Sequence, residues 1–215
     1  MIIIETYYRS DAGEFLPFES QKSFSEEFDL IEGAVEITVD GETLIGTQTW
    51  DYVFLLWAYL ADMAKRLQSG DSASMRFPDQ PIQLDALRTS NGIRLHLHGG
   101  HLDRETVVDE AQFLEALCSR GSSFFGTVIS KFPAGRESIG IYRNRLDALR
   151  ESSSRVAHWE ERVDGQKAAA LQEAERRTGR RLTPEEREKV IFDVAGRRIA
   201  FQDVVARATT ILGEG

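Results

Sequence analysis

Apolar and polar residues alternate at Val35, Ile37 and Val39 against Glu36 and Thr38, a period of two that predicts a β-strand with one buried and one wet face. Asp40-Gly41 supplies a type I′ turn, and Leu44-Ile45 returns as the partner strand of a hairpin. The apolar run Met1-Ile2-Ile3-Ile4, broken at Glu5, reads as a first strand. Between residues 9 and 29 no period is sustained, and Phe15, Phe18, Phe24 and Phe28 predict an irregular segment pinned by aromatics. A helical period then takes over. Trp50, Val53, Phe54, Trp57, Tyr59, Leu60, Met63, Ala64 and Leu67 nearly encircle a helix over residues 50–68. Thr49 is its expected N-cap, with Asp51 in the first turn and Lys65 and Arg66 in the last, matching the macrodipole at both ends. So wide a stripe predicts burial on most sides, between the sheet and a later element.

Further along, Met75-Arg76-Phe77 starts a strand that Pro78-Asp79-Gln80-Pro81 interrupts. Residues 82–88 and 93–98 read as an antiparallel pair joined by Ser90-Asn91-Gly92. Asp103 or Thr106 is the expected cap of a helix bearing Val107, Ala111, Leu114 and Cys118 on one face. Phe124, Phe125, Val128, Ile129 and Phe132 continue it after an interruption at Gly121, and Pro133-Ala134-Gly135 closes the unit. From about residue 141 arginine dominates the bases. One helix there holds Val156, Trp159, Val163, Leu171 and Ala174, and Gly179 stops it. Thr183-Pro184-Glu185-Glu186 starts another, with Val190, Val194, Phe201, Val205, Ala208 and Leu212 on one side. The expected architecture is α+β: an antiparallel β meander packed on two helices, near residues 50–68 and 106–132, followed by a C-terminal helical hairpin. The expected domains are 1–140 and 141–215.

Composition narrows the function. The chain has 215 residues, 41% apolar and 28% charged, and no window approaches the ~20 unbroken apolar residues of a membrane span. Its start lacks the basic region and long apolar core of a secretory signal, so a cytoplasmic protein is expected. The single cysteine, Cys118, falls on the apolar side of its helix and reads as a structural thiol. The formal net charge is −9, and the first fifty residues alone carry eleven acids against two bases, Arg9 and Lys22. A localised field of that kind steers a basic partner and repels nucleic acid or an anionic membrane. Glu26, Glu27, Asp29, Glu32, Glu36, Asp40 and Glu42, in and around the first hairpin, are the expected partner-binding residues, with no base between them to neutralise them. Arg176, Arg177, Arg180 and Arg181 cluster at the junction of the C-terminal helices. The 142–198 segment nevertheless holds fourteen bases against eleven acids, too even for a nucleic-acid footprint.

Chemistry concentrates in one place. Leu95-His96-Leu97-His98-Gly99-Gly100-His101-Leu102-Asp103 contains three of the four histidines. In a strand His96 and His98 share a face, and the glycine pair can turn His101 back toward them to share a metal. The spacing resembles the H-x-H-x-D-H run of the metallo-β-lactamase superfamily, with Gly100 at the aspartate position, and the resemblance implies metal-activated water. Against it, only His158 remains downstream, and the chain is short for that family's four-layered sandwich. The alternation itself predicts Leu95 and Leu97 facing the core and His96 and His98 lining the wet side. There is no phosphate loop, dinucleotide fingerprint, nucleophile elbow or cysteine pair, so no catalytic residue, metal or cofactor is expected. The function expected is a non-catalytic protein-binding module, of the kind that inhibits a basic protein as an immunity protein or antitoxin does. A metal-dependent hydrolase centred on His96, His98 and His101 is the alternative. A structural subunit self-assembling as a homo-oligomer through residues 156–212 is the second.

Overall fold

A computed structural model describes residues 1–22 and 28–152, together with Ala168, Gln172, Glu175, Arg176 and Arg181. The chain divides into two compact units, Met1–Ser153 and Ser154–Gly215. The expected C-terminal hairpin and its assembly face lie outside the described residues, apart from those isolated positions.

The fold is α+β. In chain order the first unit runs β1 (Ile2–Arg9), β2 (Phe15–Pro17), β3 (Glu32–Val39), β4 (Glu42–Ile45), β5 (Asp51–Tyr52), α1 (Val53–Gln68), β6 (Ala73–Arg76), β7 (Gln83–Thr89), β8 (Gly92–Gly99), β9 (Leu102–Val108) and α2 (Glu110–Lys131). Residues 136–152 form a further helix, α3. Two antiparallel sheets result. One has the order β2-β1-β3-β4, with β5 also on β3; the other is the meander β6-β7-β8-β9. Arg104 of β9 donates from Nη1 to the carbonyls of Thr43 and Leu44 at 3.4 and 3.5 Å, joining the facing edges of the two sheets.

Alternation decides which way each strand faces. Ile4 on β1, Val35 and Ile37 on β3, Leu84 and Ala86 on β7, and Ile93, Leu95 and Leu97 on β8 are all buried in one continuous core with α1. Trp57 is its centre, wholly buried, with its indole N–H donating to Thr6 Oγ1 at 3.0 Å. Its ring stacks on Phe124 of α2, and Phe54, Phe125 and Tyr142 extend the aromatic cluster into α3. Gly121 permits this packing. A Cβ there would lie 2.5 Å from Leu146 Cδ1 and 3.0 Å from Trp57 Cζ3, so the expected interruption is instead the close-contact point of an unbroken α2. Ile139 and Leu146 of α3 are buried in the same core, and the first compact unit therefore runs past residue 140.

Two boundaries differ from the pattern. α1 begins at Val53, with Tyr52 and not Thr49 at its N-cap, because Asp51 and Tyr52 pair with Gly33 and Glu32 as a short strand. Asp51 is consequently buried, and its two carboxylate oxygens accept the Tyr52 and Asp79 N–H groups at 2.7 and 3.0 Å. The second difference is β9. Residues 102–108 pair along the whole of β8, and the helix starts only after Asp109, whose carboxylate accepts the Gln112 N–H at 2.9 Å. Neither Asp103 nor Thr106 is a cap. Arg104 and Thr106 occupy the core-side positions of β9, so its strand alternation is hidden by polar residues that serve the sheet edge.

Candidate functional site

Two solvent faces carry the charged and titratable groups singled out by the sequence. The first is the outer face of the β2-β1-β3-β4 sheet. Antiparallel pairing sets Glu5 of β1 directly opposite Glu36 of β3. Tyr7 stands two residues along β1 and donates its hydroxyl to Glu5 Oε2 at 2.8 Å. Burial, that hydrogen bond, and the charges of Glu5, Glu36 and Glu19 push the Tyr7 hydroxyl up to about 12. Ile3, 37% exposed, adds an apolar contact on the same strand face.

The register also supplies bases to two of the expected partner-binding acids. Arg9 donates to Glu32 Oε2 at 2.9 Å while its guanidinium lies 4.4 Å from the Trp50 ring centroid. The N-terminal ammonium pairs with Asp40. Neutralising groups thus reach the hairpin from β1, which sequence proximity conceals. Asp29 and Glu42 are exposed, Glu36 is half-buried, and Glu26 and Glu27 lie outside the described residues. Glu5 joins the face through its pairing with Glu36. A cleft of about 280 Å³ beside it is lined by Glu5, Tyr7, Glu19, Arg120, Ser123 and Phe124, among others. Among the described residues β2 pairs only with Tyr7–Arg9, and no strand covers the edge of β1 from Ile2 to Thr6 on the side away from β3.

The second face belongs to the meander. Leu95 and Leu97 are fully buried and His96 and His98 are half-exposed on the other side, as the alternation requires. Cross-strand register builds two rows across this face. Ser74, Asp85, His96 and Glu105 form one; Arg76, Gln83, His98 and Asp103 form the next. Diagonal hydrogen bonds tie them together. His98 Nε2 is 2.9 Å from Asp85 Oδ2, and His96 Nε2 is 2.8 Å from Asp103 Oδ1. Asp85 Oδ1 accepts from Ser74 Oγ at 2.5 Å and from Gln83 Nε2 at 2.7 Å. Burial raises the Asp85 carboxyl, but hydrogen bonds from Ser74, Gln83 and His98, with the charge of His98, hold it below its usual value. The two imidazoles stack with centroids 4.7 Å apart.

One potential donor atom from each of Asp85, His96 and His98 lies within 4.8 Å of the other two. His101 is outside that group. Gly99 and Gly100, with φ of +119° and +61°, form a tight turn that leaves His101 exposed at the hairpin tip, so Asp85 takes the place expected for it. Cys118 is buried, and burial pushes its thiol up to about 11, in keeping with a structural role. No family model matches the chain, and no curated protein or solved structure matches it significantly. No helix among the described residues is long and apolar enough to cross a membrane.

Proposed function

We propose that the protein is a non-catalytic binding module whose acidic sheet face receives a basic protein surface. The observation that carries this reading is the Glu5–Glu36 pair. Like charges directly opposite on neighbouring strands are destabilising, and here they sit on a solvent-facing side of the sheet where a cationic group would relieve them. The β1 edge that no strand pairs from Ile2 to Thr6, and the adjacent cleft against α2, offer main-chain hydrogen bonds and a contact surface to an arriving segment. An inhibitor that covers a cationic enzyme site would belong to this class.

The test separates binding from stability. In the double variant E5Q/E36Q, denaturant unfolding should show no loss of stability and a gain as the repulsion is removed. Association of a nine-lysine peptide with the immobilised full-length chain should slow in the same variant at low salt. The difference should shrink as the Debye length falls from about 10 Å at 0.1 M to about 3 Å at 1 M salt. Equal association rates for both proteins at low salt would reject the proposal.

A further inference from the structure

We propose that Asp85, His96 and His98 form a site for one divalent transition-metal ion of the zinc class. Two imidazoles and a carboxylate are a donor set suited to zinc, cobalt or nickel. The rigid part is already in place. β7 and β8 hold the three residues on one face through continuous pairing, anchored beneath by the buried Leu84, Leu95 and Leu97.

Distances decide whether one ion can be shared. Donors about 2.1 Å from a tetrahedral ion stand about 3.4 Å from one another. The His98 Nε2–Asp85 Oδ2 separation of 2.9 Å is already within that span, so an ion can replace the shared proton between them. The group as a whole closes within 4.8 Å, so only a small side-chain adjustment separates the half-exposed His96 from a shared ion. Orienting partners are present as well. Ser74 and Gln83 fix Asp85 through Oδ1, leaving Oδ2 for the ion. Asp103 engages one ring nitrogen of His96 and leaves the other as the donor, the carboxylate–histidine arrangement that commonly steers metal-bound imidazoles. Three protein donors leave further coordination positions to water.

This inference is independent of the acidic face, and its test uses metal alone. Tag-free, chelator-treated full-length protein is titrated with zinc chloride by calorimetry and with cobalt(II) by visible absorption. One equivalent should bind. D85N, H96Q and H98Q should each weaken binding at least ~10-fold, D103N about 10- to 100-fold through the orienting contact, and H101Q not at all. Melting curves guard against misfolded variants. Zinc at about 100 times its Kd should raise the wild-type melting temperature by roughly 5–10 °C, and should not do so in H98Q, whose own melt in chelator stays cooperative. Absence of zinc binding below millimolar concentration, or binding that survives H98Q or is lost in H101Q, would overturn the assignment.

Discussion

The two sheets present opposite solutions to the same problem, a solvent face on an antiparallel sheet. On the meander, register brings unlike groups together, and His98 meets Asp85, His96 meets Asp103, and Ser74 and Gln83 close the remaining oxygen. On the N-terminal sheet the same rule of pairing opposes Glu5 to Glu36; Arg9 and the N-terminal ammonium are engaged with Glu32 and Asp40, and Arg120 lines the cleft beside Glu5. One face is internally satisfied and the other is left with an excess of one sign. Local satisfaction is what organises a ligand cage, whereas unsatisfied charge is what attracts another molecule, so the two faces suit different kinds of partner.

The comparison is broken most severely from below. Leu97→Ala should cost ~2–5 kcal/mol in denaturant unfolding, because it empties a fully buried site under the histidines. His98→Gln, one residue on, should cost only about 1 kcal/mol, the worth of a hydrogen bond on a half-exposed face. Comparable losses from the two changes would mean that the polar grid carries structural weight the alternation does not assign to it.

Asp85 sharpens the contrast through pH. Its carboxyl is held below 3.8, so it contributes stability that is present above 3.8 and disappears as pH falls through the lower folded value. Asp85→Asn should therefore flatten the acid limb of the stability curve below about pH 4 and cost about 1–3 kcal/mol at neutral pH. An acid limb of unchanged slope would show that the meander's carboxylate is not the group being titrated.

On the opposite face the smallest effect lies at high pH. Tyr7 ionises near 12 in the folded chain against an ordinary value of 10.0. Its contribution is complete below pH 10 and is lost as pH rises toward 12. Tyr7→Phe should reduce that alkaline decline and cost no more than about 1 kcal/mol at neutral pH, through the lost hydrogen bond to Glu5. An ultraviolet titration should lose one late-ionising phenol in parallel.

Much of this was legible from local periodicity. The alternations at 35–39 and 93–98 give the strands, Asp40-Gly41 and Ser90-Asn91-Gly92 give their turns, and the aromatic stripe gives the buried α1. The wet placement of His96 and His98 follows from Leu95 and Leu97 alone. What escaped depends on distance along the chain. Asp85 joins the histidines only through the β7–β8 register, and Arg9 reaches Glu32 only because β1 lies between β2 and β3. β9 was masked for a different reason, since Arg104 and Thr106 stand where an alternating pattern would place apolar residues. Asp51 and Tyr52 show the converse, a helical period continued backward into residues that β3 holds extended.

Gly121 has a consequence for the order in which the molecule can be completed during synthesis. The groove that its missing side chain leaves in α2 is filled by Leu146, while Ile4, at the other end of the unit, belongs to the same core. Contacts separated by so much chain form late, because the loops they close cost the most entropy. A chain leaving the ribosome can therefore lay Phe124 of α2 on Trp57, but the groove at Gly121 stays unfilled until α3 has emerged.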